Sequence, residues 1–194
     1  MNFNGSIVTA QVTDHNDTEV FAQHDGVTLA IDRSELAELP EVGSDVEGFA
    51  YENKQGQARL TTKVPTVGRD HYAFAKVVEV RKDLGVFVNI GLPDKDIVVS
   101  EDQLPEISRL WPQKGDQLMV ALTVDKKDRM WGNLADESII HAVANRAKPE
   151  QMNADVTATA YRLKMAGTRV LTDDFYLGFI HPSERDAEPR LGQI

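Results

Sequence analysis

Short apolar runs with alternating polarity recur along this chain in one order, twice in full and a third time in part. Each run is brief, rich in Val, Ile, Thr and aromatic residues, and bounded by Gly, Asp, Asn or Pro, so each reads as a β-strand. The first set predicts strands over residues 6–12, 19–23, 27–31, 45–51 and 57–62. The second predicts them over 74–81, 85–91, 96–99, 117–124 and 129–134. The third offers 155–163, 168–171 and 176–180 and then runs out, two strands short. Five short strands in about sixty to seventy residues is the count of an OB-type barrel, whose closure removes exposed edges. The expected fold is therefore mainly β: tandem five-stranded OB barrels, two complete and a third truncated, in a chain read as an N-terminal fragment. The expected boundaries are 1–66, 67–135, a connecting helix at 136–148, and 149–194.

The helix is expected because Asp136 stands as a cap with Glu137 in the first turn. Ile139, Ile140, Val143 and Ala144 follow at helical spacing, and Arg146 and Lys148 precede Pro149, which predicts a helix through residue 147. Three Ser-Glu pairs, Ser34-Glu35, Ser100-Glu101 and Ser183-Glu184, each follow a third strand. Serine caps well and glutamate suits a first turn, so each pair is expected to start a short helical turn. Strand parity also assigns faces. In the second copy Val86, Val88 and Ile90 share one side and should fill the barrel, which turns Phe87 and Asn89 outward.

Composition narrows the function. Apolar residues make up 41% of 194, enough for real cores but small ones once divided among modules, as in a string of beads. The absence of cysteine excludes disulfides, thiolate metal sites and cysteine nucleophiles. No apolar run approaches a membrane span and the polar start is unlike a signal peptide, so no membrane association is expected and the cytoplasm is the expected setting. The five histidines lack metal-ligand spacing, and neither a Gly-rich phosphate loop nor a Gly-x-Ser-x-Gly elbow is present. The chain is expected to be no enzyme and to need no cofactor or metal.

Charge cuts against nucleic acid at first sight, since the net charge is −10. The acid is concentrated in the first copy, where four cations face eleven carboxylates; the second copy and helix hold twelve against fourteen, and residues 151–194 five against six. The later copies carry local clusters: Arg81-Lys82, Lys126-Lys127 with Arg129, Arg146 with Lys148, and Arg162 with Lys164 and Arg169. Screening confines charge effects to about 10 Å at ordinary salt, so a local cluster can bind a strand despite the total.

The stretch Lys82-Asp83-Leu84-Gly85-Val86-Phe87-Val88-Asn89-Ile90 resembles the second-strand signature of the S1-type RNA-binding domain. Gly178-Phe179-Ile180-His181-Pro182-Ser183-Glu184 resembles its third-strand signature. The order of copies, the insert Leu92-Pro93-Asp94-Lys95-Asp96, and the run from Tyr176 through Arg190-Leu191-Gly192-Gln193 resemble the conserved virulence factor B family of bacterial RNA-binding proteins over the whole chain. The resemblance implies three S1-type domains followed by a winged-helix domain, hence a C-terminal continuation, with single-stranded RNA as partner and regulation of transcript fate as role. Single-stranded DNA is the alternative partner expected beside it.

Carried over by position, the second-strand aromatics fall on Leu84 and Phe87 in copy two, on Ala166 and Arg169 in copy three, and the second of them on Phe21 in copy one. The third-strand histidine falls on His181, with Asp32 and Val98 at the corresponding places. An Asp and Arg of the last hairpin fall on Asp125 and Arg129. No copy carries the whole set, so weak modules that add through linkage are expected. The candidate RNA-binding residues are Arg81, Lys82, Phe87, Asn89, Lys126, Arg129, Arg169, Phe179 and His181. Phe87 either stacks on a base or packs under a loop or neighbouring domain. His181 either meets the ligand or fixes its turn through Ser183. Trp131 either joins a stacking patch or, the favoured reading, anchors the core or a domain joint; Trp111 reads as a loop clamp, and Phe21 as a packing residue. The rival function is a protein-interaction adaptor using the same barrels, for which 31 acidic residues suit basic partners.

Overall fold

Parity decides what each barrel buries. Val8, Ala10 and Val12 on one strand and Val86 and Val88 on another are buried, while the residues between them face outward. The computed structural model of the chain describes residues 1–146 and 148–194. In the first copy β1 (Ser6–His15), β2 (Glu19–His24), β3 (Val27–Asp32), β4 (Asp45–Glu52) and β5 (Ala58–Thr61) close in the order β1-β2-β3-β5-β4. In the second, β6 (Ala73–Arg81), β7 (Gly85–Asn89), β8 (Ile97–Ser100), β9 (Gln117–Val124) and β10 (Met130–Leu134) close in the equivalent order. The third copy is a three-stranded sheet of β11 (Ala158–Lys164), β12 (Gly167–Thr172) and β13 (Leu177–Ile180). These are the tandem OB barrels expected from the strand count, with the third incomplete.

The three copies share local devices as well as order. The first strand of each shifts register at one place, between Val12 and Asp14, Val77 and Glu79, and Ala160 and Arg162. An extra residue there bends the strand and lets a short sheet curl shut. Gly85 and Gly167 open the second strand of copies two and three at φ of +135° and +146°. A Cβ on Gly85 would lie 2.0 Å from the Val99 carbonyl oxygen, and one on Gly167 2.3 Å from the Phe179 ring, so only glycine fits either place. The last residues repeat a third device. The Ala160 N–H donates to Gln193 and the Gly192 N–H to Ala160, as Val12 pairs with Gly43 and Ser44 ahead of β4, and Val77 with Gly115 and Asp116 ahead of β9.

The modules are not separate beads, contrary to the division of the core expected from composition. Phe49 and Tyr51 of the first barrel join Val86, Val88, Leu118 and Val120 of the second in one buried cluster, and Leu191 joins it from the third copy. The 92–96 insert clamps the first joint. Asp94 accepts from the Tyr51 hydroxyl at 2.7 Å and from Asn53 at 3.1 Å, while Lys54 reaches Asp96 at 2.7 Å and Lys95 donates to the Glu52 carbonyl. The third sheet docks through Leu171, which packs with Met119 of β9 and Ile140 of the connecting helix.

That helix, α1, occupies Glu137–Val143, shorter than expected. Asp136 caps it as predicted, accepting from the Ile139 N–H at 2.9 Å. Ala144 already has extended backbone because the next N–H, of Asn145, donates to the Phe175 carbonyl at 2.7 Å, and Asn145 bridges to Tyr176. The tertiary bond ends the helix before the basic residues are reached. Ala147, the last residue of the expected helix, lies outside the described residues. Among the described residues no helix is long and apolar enough to cross a membrane.

Candidate nucleic-acid interface

The outer face of the second barrel carries one row of cross-strand neighbours. Phe87 pairs with Glu79 on one side and Val98 on the other, Val98 pairs with Trp131, and Trp131 with Thr123. Val98 thus stands between two half-exposed aromatic rings, one from β7 and one from β10. An arginine covers each ring: the Arg81 guanidinium lies 5.9 Å from the Phe87 centroid, and that of Arg129 5.5 Å from Trp131. Such couples are worth about 0.5–1 kcal/mol each at exposed positions and hold both partners in place.

Asp125 organises the second couple. Its carboxylate accepts from the Lys127 N–H at 2.8 Å, the Arg129 N–H at 3.0 Å, the Arg129 Nε at 2.8 Å and the Trp131 indole N–H at 3.2 Å. These bonds, the Arg129 amide foremost, hold its pKa well below the usual carboxylate range. A negative charge that faces four donors fixes the hairpin, and with it the angle of the Trp131 ring.

Arg81, Phe87 and Arg129 are therefore brought together, and Trp131 completes the patch. Trp131 is an outward-facing residue, which suits the stacking-patch alternative and not the favoured core or interdomain anchor. Trp111, by contrast, is buried and donates to the Pro105 carbonyl at 2.6 Å, the loop clamp expected. Lys82 and Lys126 are exposed in the turns beside Arg81 and Arg129. Asn89 is exposed on the side of β7 that carries Phe87, but its side-chain oxygen accepts from the Gly91 N–H at 2.8 Å, so it shapes the turn.

The corresponding row of the first barrel runs Asp14, Phe21, Ala30, Arg59 and Tyr51. Arg59 replaces Trp131 and is held by Glu19 at 2.5 Å, and Tyr51 is buried against the second barrel. Phe21 is half-exposed instead of packed. In the third copy the row is Arg162, Arg169 and Phe179. Phe179 is 57% exposed, and Arg169 pairs with Glu137 at the start of α1.

These registers also correct the placing of the third-strand histidine. Phe21 faces Ala30, Phe87 faces Val98 and Arg169 faces Phe179, so His181, Asp32 and Ser100 are equivalent, and Val98 belongs with Phe179. All three equivalent residues cap the turn that follows: Asp32 accepts from the Ser34 N–H, Ser100 from Asp102, and His181 Nδ1 from Ser183 at 3.2 Å. Only Ser100 is the serine cap expected of the Ser-Glu pairs; Ser34 and Ser183 lie inside their turns. The His181 ring fixes its turn through Nδ1 and keeps Nε2 on an exposed side chain. Among the described residues no group of three or more His, Asp or Glu side chains is placed to hold a metal.

Tandem five-stranded barrels with this strand order define a protein of S1-type OB-fold domains. A family model described as the S1 domain matches residues 4–63, the first S1-like domain of CvfB matches 72–133, and the second domain of virulence regulatory factor CvfB matches 140–194. The chain is 39% identical over 188 residues to the protein YitL of Bacillus subtilis, covering 97% of this chain and 63% of that one. It is 36% identical over 169 residues to conserved virulence factor B of Staphylococcus epidermidis, covering 86% and 56%. A crystal structure of a Streptococcus pneumoniae multidomain protein with nucleic acid binding domains superposes with a TM-score of 0.92 at 48% identity, over 100% of this chain and 67% of that one. The chain belongs to the conserved virulence factor B family, and it spans less than two thirds of the length of these two curated relatives.

Proposed function

We propose that this chain binds single-stranded RNA across the outer face of its second barrel and serves as a non-catalytic, post-transcriptional regulator in the cytoplasm. The observation that carries the reading is the Phe87–Val98–Trp131 row with an arginine over each ring. A splayed strand offers bases that stack on such rings, worth about 1–3 kcal/mol per base, while the arginines, already oriented, meet the phosphates between them. The relative from Streptococcus pneumoniae is described as having nucleic acid binding domains, which supports the same reading here. The first barrel, with its cation spent on Glu19 and its face closed on one side by the second, acts as a scaffold. The third copy adds Phe179, His181 and its arginines. A continuation supplying the rest of that barrel and a winged-helix domain accords with the greater length of the relatives.

The net charge of −10 favours a second reading, an adaptor for a basic protein partner. Titration of the chain against mixed-sequence single-stranded RNA, single-stranded DNA and duplex, each at several salt concentrations, separates the two. The RNA reading expects single strands to win and affinity to fall with salt by a slope of about −0.7 per phosphate contacted. Equal and salt-insensitive affinity for all three would leave the adaptor.

A further inference from the structure

Glu137, the first residue of α1, gathers the cations of the third sheet. Its carboxylate meets Arg162 Nε at 3.6 Å and Lys164 Nζ at 3.9 Å, pairs directly with Arg169, and has His141 Nε2 at 3.9 Å one helical turn away. One carboxylate thus meets three cationic groups, while Glu106, Asp136 and Glu188 line the adjoining cleft. The neighbouring acid, Asp136, is occupied in capping Ser138 and Ile139. Arg162, Lys164 and Arg169 remain 48%, 43% and 36% exposed. Arg162 and Arg169 are cross-strand partners next to Phe179, in the row equivalent to Glu79, Phe87 and Val98. Three cationic side chains that converge on one monovalent oxyanion beside an exposed aromatic ring are built like an anion site whose anion belongs to the chain.

We propose that Arg162, Lys164 and Arg169 form a backbone-phosphate subsite, which Glu137 fills in the free protein and a phosphodiester of bound RNA displaces. The inference rests on the RNA reading above and extends it to the third copy. The exchange is balanced in charge: a phosphodiester and a carboxylate each carry one negative charge, and the released Glu137 sits at a helix start where water solvates it. Arginine favours the incoming group, since its planar fork matches phosphate oxygens in pairs. Exposed ion pairs of the kind Glu137 makes are weak enough to give way. Displacement also removes the polar tie between the start of α1 and the third sheet, leaving the Ile140–Leu171 contact and the Asn145–Phe175 hydrogen bond. Binding on the third copy is thereby coupled to its hold on the second.

The test uses the chain 1–194, a mixed-sequence single-stranded RNA of about 15 nucleotides, and the variants Glu137→Gln, Arg162→Gln, and Glu137→Gln with Arg169→Gln. Glu38→Gln, on an exposed loop of the first barrel, controls for charge alone. Glu137→Gln is expected to tighten binding several-fold, because no carboxylate then competes with the phosphodiester for the subsite. Adding Arg169→Gln should cancel the gain, and Glu38→Gln should give little of it. Arg162→Gln should weaken binding and flatten the slope, and this variant decides the matter if Glu137→Gln fails to fold. RNA binding by the parent chain with affinity unchanged in Glu137→Gln or, where that variant does not fold, with affinity and slope unchanged in Arg162→Gln overturns the subsite. Absence of RNA binding in the parent and in every variant overturns the RNA reading and the subsite with it.

Discussion

The Tyr51 hydroxyl of the first barrel donates to the Asp94 carboxylate of the second at 2.7 Å, at the edge of a core the two barrels share. Burial, and then the adjacent carboxylate, hold the phenol pKa above its usual value of 10. The unfolded chain releases this proton near pH 10 while the folded chain retains it, so stability is full below pH 10 and falls as pH rises beyond it. Replacing Tyr51 with Phe should flatten much of that alkaline slope in thermal unfolding. A residual slope is expected from Tyr161, whose pKa burial also raises. Near neutral pH the loss of one hydrogen bond should cost about 1 kcal/mol.

Residues of opposite parity in the second barrel should separate folding from binding. Phe87→Ala and Trp131→Ala should each lower affinity for single-stranded RNA by about 1–3 kcal/mol while the barrel stays folded, since both rings stand on the outer face. Ile97, fully buried beside Val98, should behave in the opposite way. Ile97→Ala should cost about 2–5 kcal/mol of stability by leaving a cavity. Circular dichroism melts run alongside RNA titrations check both halves, and a Phe87→Ala protein that melts early but binds normally would return Phe87 to the packing residues.

What the sequence made legible is what period two and local caps encode. Val86, Val88 and Ile90 face inward with Phe87 and Asn89 outward, and Asp136 starts α1, as their spacing predicts. For Trp131 such reasoning left patch and anchor both open, because its place depends on β10 pairing in parallel with β8, some thirty residues earlier in the chain. The end of α1 was hidden for a like reason, since Asn145 answers to Phe175. Composition could not reveal that Phe49 and Tyr51 face a neighbouring barrel, because an apolar residue in a strand looks the same whichever core it enters. The equivalence of His181 with Ser100 likewise needed the observed register.

Asp125 gives the candidate interface an acid limit. Its carboxylate titrates well below the ordinary 3.8, so the contacts it makes persist above that pH and are lost only as pH falls through the lower folded value. The indole N–H of Trp131, bonded to Asp125 at 3.2 Å, is the reporter. Its proton resonance should stay fixed down to pH 3.8 and move only below it. Asp125→Asn should shift that resonance at neutral pH and reduce RNA affinity, because both Arg129 and Trp131 lose the group that orients them.

The third sheet should be the least protected part of the chain, and unevenly so. Leu171 is covered by Met119 and Ile140, whereas Val156, Ala158, Ile180 and Ile194 line an open trough on the other side. In the two complete barrels the equivalent space is closed by the fourth and fifth strands, the fourth pairing with the first, as Ala73 to Lys76 pair with Val120 to Gln117. Here Gly192 and Gln193 stand at the place of the fourth strand, through their backbone bonds to Ala160 of β11. Backbone groups along an unpaired edge open readily, so amide exchange at Ile180 should run much faster than at Val88 and Val120, with Leu171 between them. Extending the chain past Ile194 along the lines of its longer relatives should slow exchange at Ile180 and leave Val88 unchanged. Protection at Ile180 equal to that at Val88 in the chain 1–194, and independent of protein concentration, would show instead that three strands docked on α1 and β9 are a finished fold.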